Sequence, residues 1–136
     1  MLVDTNVWSE LLRPRPSAKV VAFLAREQQR VLLSTIVVAE FEFGIAKTTD
    51  AAHRRRLLAF RDDVVARCEE RIVSPDLATA GVFGEIKARL RASGRPIADL
   101  DLLIAAQAIA ARVSLVTRNL ADMARTGATI INPWDG

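Results

Sequence analysis

The sequence predicts an α/β fold of three layers, α/β/α, around a central, mostly parallel sheet of four to five short strands. Three observations predict it. Short apolar segments alternate with helical ones along the whole chain, the pattern of a parallel sheet covered on both faces. The length, 136 residues, suits a single domain spanning 1–136 that buries a core without disulfide or metal staples. The hydrophobic content of 51% and mean hydropathy of +0.19 point to an extensively buried sheet, an oligomer interface, or both.

The elements follow in order. Met1 to Val3 is a strand ending at Asp4, and Thr5 or Asn6 caps a helix to about Leu12, broken by Arg13-Pro14-Arg15-Pro16. Ser17 caps a helix whose apolar face is Val20, Val21, Phe23 and Leu24. Val31 to Leu33 is a buried strand, and Ser34 or Thr35 caps a helix that carries Glu40 and runs to about Lys47. Asp50 begins a polar, arginine-rich helix to about Ala66, with Leu57, Leu58, Phe60, Val64 and Val65 as its stripe. Arg71 to Val73 is a strand ended by Ser74-Pro75. Asp76 opens a long helix that Ser93-Gly94-Arg95-Pro96 stops, Gly94 suiting a left-handed cap. Asp99 to about Ala111 is a nearly all-apolar helix, buried on most sides. Ser114 to Val116 is a strand, residues 120 to 125 form a short helix, and Thr129 to Ile131 is the last strand.

Composition narrows the function. No apolar run approaches the roughly 18 residues that span a bilayer, and an acid at the fourth position argues against a signal peptide. The single cysteine, Cys68, in the polar run Arg67-Cys68-Glu69-Glu70, leaves no intramolecular disulfide and no Cys-rich zinc site. It reads as an incidental thiol and suits the cytoplasm. The net charge is +3, and all but Lys19, Lys47 and Lys87 of the 19 basic residues are arginine, the residue that pairs best with phosphate. Arg54-Arg55-Arg56 is the only basic run and fits a solvated helix face as well as it fits phosphate contact.

Four acids stand out because each borders apolar sequence: Asp4, Glu40, Asp101 and Asp122. A carboxylate held against apolar surroundings is costly unless paired or bound to a cation. Several such carboxylates brought together repel one another, so a divalent metal is their natural partner. An all-oxygen site on an α/β framework is the chemistry of Mg2+, or of Mn2+ as a substitute, and of phosphate-ester cleavage. Three of the four follow a strand, and ligands of parallel sheets bind beyond the strands' carboxyl ends, so one site at one edge is expected. A basic rim around an acidic centre suits a polyanion.

Each acid has a plain competitor. Asp4 suits a helix N-cap. Glu42 shares the helix of Glu40 but lies on another face, whereas Gly44, one turn from Glu40, leaves room for metal or substrate. Asp99 competes with Asp101 as a helix cap. Asp122 also fits a surface acid. Glu10 is expected to pair at the surface with Arg13. His53, the only histidine, sits in a polar helix, so acid–base catalysis by paired histidines is disfavoured. Trp8, Leu11, Leu12, Phe41, Phe43 and Ile45 are either core or a groove for a partner helix.

Four motifs in order resemble those of the PIN-domain nucleases: Leu2-Val3-Asp4-Thr5-Asn6-Val7, then Ala39-Glu40 with Gly44, then Asp101-Leu102-Leu103-Ile104-Ala105-Ala106, then Leu115-Val116-Thr117-Arg118-Asn119 with Asp122. With Asn132-Pro133-Trp134 at the end they cover essentially the whole chain. Among PIN domains they look most like the VapC toxins of bacterial toxin–antitoxin pairs, in the FitB-like branch.

The resemblance implies a Mg2+-dependent endoribonuclease toxin that hydrolyses RNA with metal-activated water and leaves 5′-phosphate and 3′-hydroxyl ends. It implies Asp4 and Asp101 as direct metal ligands, Glu40 and Asp122 as ligands directly or through water, and Thr5, Asn6, Thr117 and Asn119 as hydrogen-bonding supports. The helix dipole is expected to favour ionised Asp101. A homodimer, a cognate VapB-type antitoxin lying along a groove, and higher toxin–antitoxin assembly are implied as well, with no membrane. The competing readings are a catalytically silent PIN-like binding module, a DNA-directed nuclease of the same fold, and a metal phosphatase. The last lacks a glycine-rich phosphate loop.

Overall fold

Successive side chains of a strand point to opposite faces of its sheet. Leu2 and Val3 are 1% and 0% exposed, and Leu115 and Val116 both 0%, so these strands have protein on both sides. That burial is why they read as continuous apolar pairs and not as alternations. The computed structural model describes residues 1–135; Gly136, the last residue of the expected domain, lies outside them.

The strands are β1 (Leu2–Val3), β2 (Leu33–Ser34), β3 (Ile72–Val73), β4 (Leu115–Val116) and β5 (Ile130–Ile131). β1, β4 and β5 form one parallel ladder, with Leu2 opposite Leu115 and Leu115 opposite Ile130; β2 and β3 form another, with Leu33 opposite Ile72. A parallel bridge between Leu2 and Leu32, with Leu32 N–H on the Met1 carbonyl at 2.8 Å, joins the two. The spatial order is therefore β3-β2-β1-β4-β5. Every pairing is parallel, where the sequence reading expected mostly parallel. The order reverses at β1, so the crevice at the carboxyl ends of β1 and β4 is the switch point of the sheet.

The helices are α1 (Thr5–Glu10), α2 (Ala18–Glu27), α3 (Thr35–Lys47), α4 (Ala51–Arg67), α5 (Leu77–Ala92), α6 (Asp99–Ala111) and α7 (Leu120–Met123), with 3₁₀ turns at Glu69–Arg71 and Ala124–Thr126. Ser34, Asp50 and Asp76 cap α3, α4 and α5 as expected, their side chains accepting from the N–H groups of Ile36, His53 and Thr79. α5 and α6 pack as a pair around Ile86, Leu90, Ile97 and Leu102, apart from the main core over the sheet. Gly94 has φ +72, the left-handed cap that the sequence reading assigned to it. No helix among the described residues is long and apolar enough to cross a membrane.

Several local expectations change. Asp4, not Thr5 or Asn6, caps α1, and that helix stops at Glu10. Ser17 makes no side-chain cap; its N–H donates to Glu10 Oε1 at 2.9 Å. That bond draws Glu10 to 6% exposure, so its 3.3 Å pair with Arg13 is half inside the protein, not a surface pair. Ala98 precedes α6 as its cap residue, so Asp99 is not the cap. Cys68 is buried at 2% despite its polar neighbours, and burial pushes its thiol pKa up. A thiol held protonated is a poor nucleophile, in line with an incidental role. α6 ends at Arg112 in the left-handed conformation, φ 57, a position the sequence does not mark with glycine or asparagine.

Candidate active site

Asp4 leaves β1 at its carboxyl end, its own N–H still in the ladder on the Val116 carbonyl at 2.9 Å. The side chain is buried at 5% exposure and held from three directions. Thr5 N–H donates to Oδ1 at 2.8 Å; Thr117 Oγ1–H and Asn6 Nδ2 donate to Oδ2 at 2.8 and 3.2 Å. Asn6 Nδ2 also reaches Thr117 Oγ1 at 3.2 Å, and Asn119 N–H donates to that hydroxyl at 3.1 Å. The turn after β4 and the start of α1 are thereby fastened around one carboxylate. Asp4 is both a helix cap and more than one, because a cap needs none of the contacts from Thr117.

Burial still raises the pKa of Asp4, against those hydrogen bonds, and the charge of Glu40 adds to the rise. Asp101, in the first turn of α6, is half-buried and its pKa is also raised, first by burial, then by the charges of Asp4 and Asp122. The expectation that the helix dipole would favour its ionised form is overridden by these two effects. Like-charge influence thus links Glu40 to Asp4, Asp4 to Asp101 and Asp101 to Asp122. The four acids named from the sequence are therefore linked in a chain of charge influence that runs through Asp4 and Asp101.

The other acids go elsewhere. Glu42 pairs with Arg61 at 2.6 Å on the surface, and Asp99 pairs with Lys87 at 3.0 Å. Neither contributes to the shifts at Asp4 or Asp101. Asp122 is the outlying member: it lies 3.7 Å from Arg125, one helical turn on, and takes a long 3.5 Å bond from Asn119 Nδ2. Arg125 was not singled out in the sequence, although its i,i+3 spacing from Asp122 is the signal that marks it. Of the expected supports, Asn6, Thr117 and Asn119 act through side chains, whereas Thr5 acts through its backbone. The Thr5 hydroxyl is buried and has no hydrogen-bond partner among the described residues.

Among the described residues, no three acidic, histidine or cysteine side chains stand close enough to enclose a metal ion by themselves. The donor set nonetheless fits a hard divalent cation. It is all oxygen and mutually repelling, the Thr5 hydroxyl next to Asp4 is buried with no partner among the described residues, and two of its carboxylates, Asp4 and Asp101, resist ionisation. Mg2+ suits an open set of this kind, since it binds through one or two carboxylates and keeps several waters.

A profile of the PIN domain matches residues 1–128. The chain belongs to the PIN-domain family. Two relatives of this PIN domain extend the match over almost the whole chain. The VapC ribonuclease Y4jK of Sinorhizobium fredii is 33% identical, across 99% of this chain and 98% of its own. Toxin FitB of Neisseria gonorrhoeae is 32% identical, across 98% of each. A crystal structure of FitAcB from the same organism superposes on the PIN domain with a TM-score of 0.86 at 32% identity, covering 98% of this chain and 97% of that one. The PIN-like α/β fold expected from the motifs is therefore the fold of this chain.

Proposed function

We propose that this PIN domain is a Mg2+-dependent endoribonuclease and the toxin of a toxin–antitoxin pair. The observation that supports the reading is the buried Asp4 at the carboxyl end of β1 and the charge influence that links it to Glu40 and to Asp101, and Asp101 to Asp122. The relatives named VapC ribonuclease and toxin FitB support the substrate and the biological class.

In this reading Asp4 and Asp101 would hold the cation directly, and Glu40 and Asp122 would hold it directly or through water. Bound Mg2+, or Mn2+ in its place, supplies activation of water and neutralisation of charge developing at phosphorus. The residues around it orient and hold. Thr117 and Asn6 keep Asp4 Oδ2 in one position, Asn119 does the same for Asp122, and the buried β1–β4 pair gives that arrangement a rigid base. Arg125, 3.7 Å from Asp122, would offset part of that carboxylate's charge.

A VapB-type antitoxin is the proposed partner, in a cytoplasmic homodimer or larger toxin–antitoxin assembly. A groove of about 400 Å³ between α1, α2 and the end of α4 offers it an apolar lining of Trp8, Leu11, Val21 and Leu24. Of the apolar residues weighed for such a groove, Ile45 is core and Phe41 stacks edge-on against Phe60, 5.4 Å between centroids, while Phe43 is 66% exposed.

The test is cleavage of total cellular RNA by antitoxin-free protein with Mg2+, with Mn2+ and with EDTA. Asp4→Asn and Asp101→Asn proteins run in parallel to exclude a contaminating nuclease. Discrete metal-dependent fragments, absent in both variants, are expected. A folded protein that cleaves nothing under any metal would leave the silent binding module as the better reading. Cleavage of DNA alone would make it a nuclease of the other substrate.

A further inference from the structure

Arg118 follows Thr117, the residue that bonds Asp4, and among the described residues its side chain pairs with none of the four acids. Its N–H donates to Asn6 Oδ1 at 3.1 Å, which anchors its backbone to the residue that itself holds Asp4. Its side chain is different. Among the described residues no acid lies within salt-bridge distance of its guanidinium and nothing accepts a hydrogen bond from it, whereas Arg125, seven positions on, is tied to Asp122 and to the Arg95 carbonyl. The guanidinium carbon instead lies over the Trp134 ring, 4.9 Å from its centroid.

Trp134 is where it is for reasons of the sheet. Thr117 N–H donates to the Ile131 carbonyl at 3.0 Å, so the chain leaving β5 emerges beside the turn after β4. Asn132 Oδ1 then accepts the Trp134 N–H at 3.1 Å and closes a turn that lays the indole, half-buried, against the core. A cation over an aromatic face is favoured enough to bias one rotamer of a long side chain. The ring thus holds the guanidinium in place on a turn whose backbone is fastened to Asn6.

We infer that Arg118, held flat on Trp134, is a substrate-binding residue that stacks on a base of single-stranded RNA and offers its edge to the adjoining phosphate. The inference rests on the ribonuclease reading. A guanidinium with one face on an indole has its other face turned outward, and planar arginines and aromatics are what unpaired bases stack on. Arg118 is the contact; Trp134 is a positioning residue. The bland reading is that the pair merely ties the C-terminal segment to the β4 turn.

Fluorescence anisotropy with labelled oligouridylate, and with an abasic ribose-phosphate polymer of equal length, separates the two. Both are measured with the full chain in EDTA. Arg118→Lys keeps the charge and loses the plane. It is expected to bind the abasic polymer as wild type does and oligouridylate roughly 10-fold more weakly, the scale of one lost stacking contact. Trp134→Leu should give the same selective loss, and Trp134→Phe should recover part of it. If Arg118→Lys binds both polymers as wild type does, or loses both equally, the stacking role is wrong. A Trp134→Leu loss that is equal for both polymers and follows a fall in melting temperature, with Arg118→Lys intact, identifies a structural tie only. Wild-type protein that binds no RNA overturns the ribonuclease reading itself, a result distinct from these.

Discussion

Thr117 Oγ1 donates to Asp4 Oδ2 at 2.8 Å across 113 positions of sequence, fastening the carboxyl end of β4 to that of β1. The same hydroxyl accepts from Asn6 Nδ2 and from the Asn119 N–H, so one threonine serves both strand ends and the following turn. A hydrogen bond to a buried charged group is among the stronger ones, and its loss leaves the charge under-solvated.

Thr117→Val keeps the shape and removes the hydroxyl. It is expected to cost about 1–3 kcal/mol, the penalty of an under-satisfied buried group. The loss should be larger at neutral than at acid pH. The hydroxyl lowers the Asp4 pKa, so without it that pKa climbs further above its unfolded value of 3.8. A carboxyl with a raised folded pKa favours the fold when protonated, and that contribution disappears as pH rises from the unfolded value through the folded one. Urea melts of both proteins in EDTA at acid and neutral pH check the sign; an equal loss at both would contradict it.

Asp101→Asn is expected to abolish cleavage and yet stabilise the metal-free protein. The Asp101 pKa is raised by burial and by Asp4 and Asp122, so its ionised form works against the fold once pH exceeds 3.8. The group is half open to solvent, which screens the effect to no more than about 1 kcal/mol. Thermal melts in EDTA should show a small rise in Tm at neutral pH that vanishes at low pH. Saturating Mg2+ should stabilise wild type and not the variant.

Glu40 and Glu42 are two residues apart and have opposite fates. The charge of Glu40 reaches Asp4, while Glu42 is bound to Arg61 on the surface. Glu40→Gln should lower cleavage and raise the Mg2+ concentration needed for half-maximal rate. Glu42→Gln should leave both unchanged and cost under about 1 kcal/mol, the worth of an exposed pair. Mg2+ titrations of the cleavage rate decide; a Glu40→Gln protein that cleaves with wild-type rate and Mg2+ dependence would remove Glu40 from the site.

Arg112→Gly is expected to stabilise the fold by about 0.5–1 kcal/mol. Arg112 has φ 57, and its N–H and that of Val113 close the end of α6 on the Ile109 and Ala108 carbonyls. A residue with Cβ pays for that conformation and glycine does not. Differential scanning calorimetry should show a higher Tm with cleavage unaltered. A lower Tm would mean that the arginine side chain contributes more than the backbone strain costs.

What lies within a few residues in sequence was legible before folding. The caps at Ser34, Asp50 and Asp76, the left-handed Gly94 and the parallel sheet follow from side chains that act on their own backbone or repeat with a helix period. Asp4, Glu40, Asp101 and Asp122 could be nominated as candidates too, because acids bordering apolar runs are costly wherever the chain goes. The resemblance named Thr5, Asn6, Thr117 and Asn119 as supports, and tertiary structure decided which acid each one reaches. Thr117 reaches Asp4 because the crossover through α5 and α6 returns β4 to the free side of β1, and no local pattern encodes that pairing. Glu10 is drawn inside by the Ser17 N–H, Asp99 is diverted to Lys87, and Arg118 is turned onto Trp134 by the proximity of β4 and β5. Capping and periodicity act over about one helical turn, whereas the partner of a polar group is whatever the packed sheet brings within 3 Å of it.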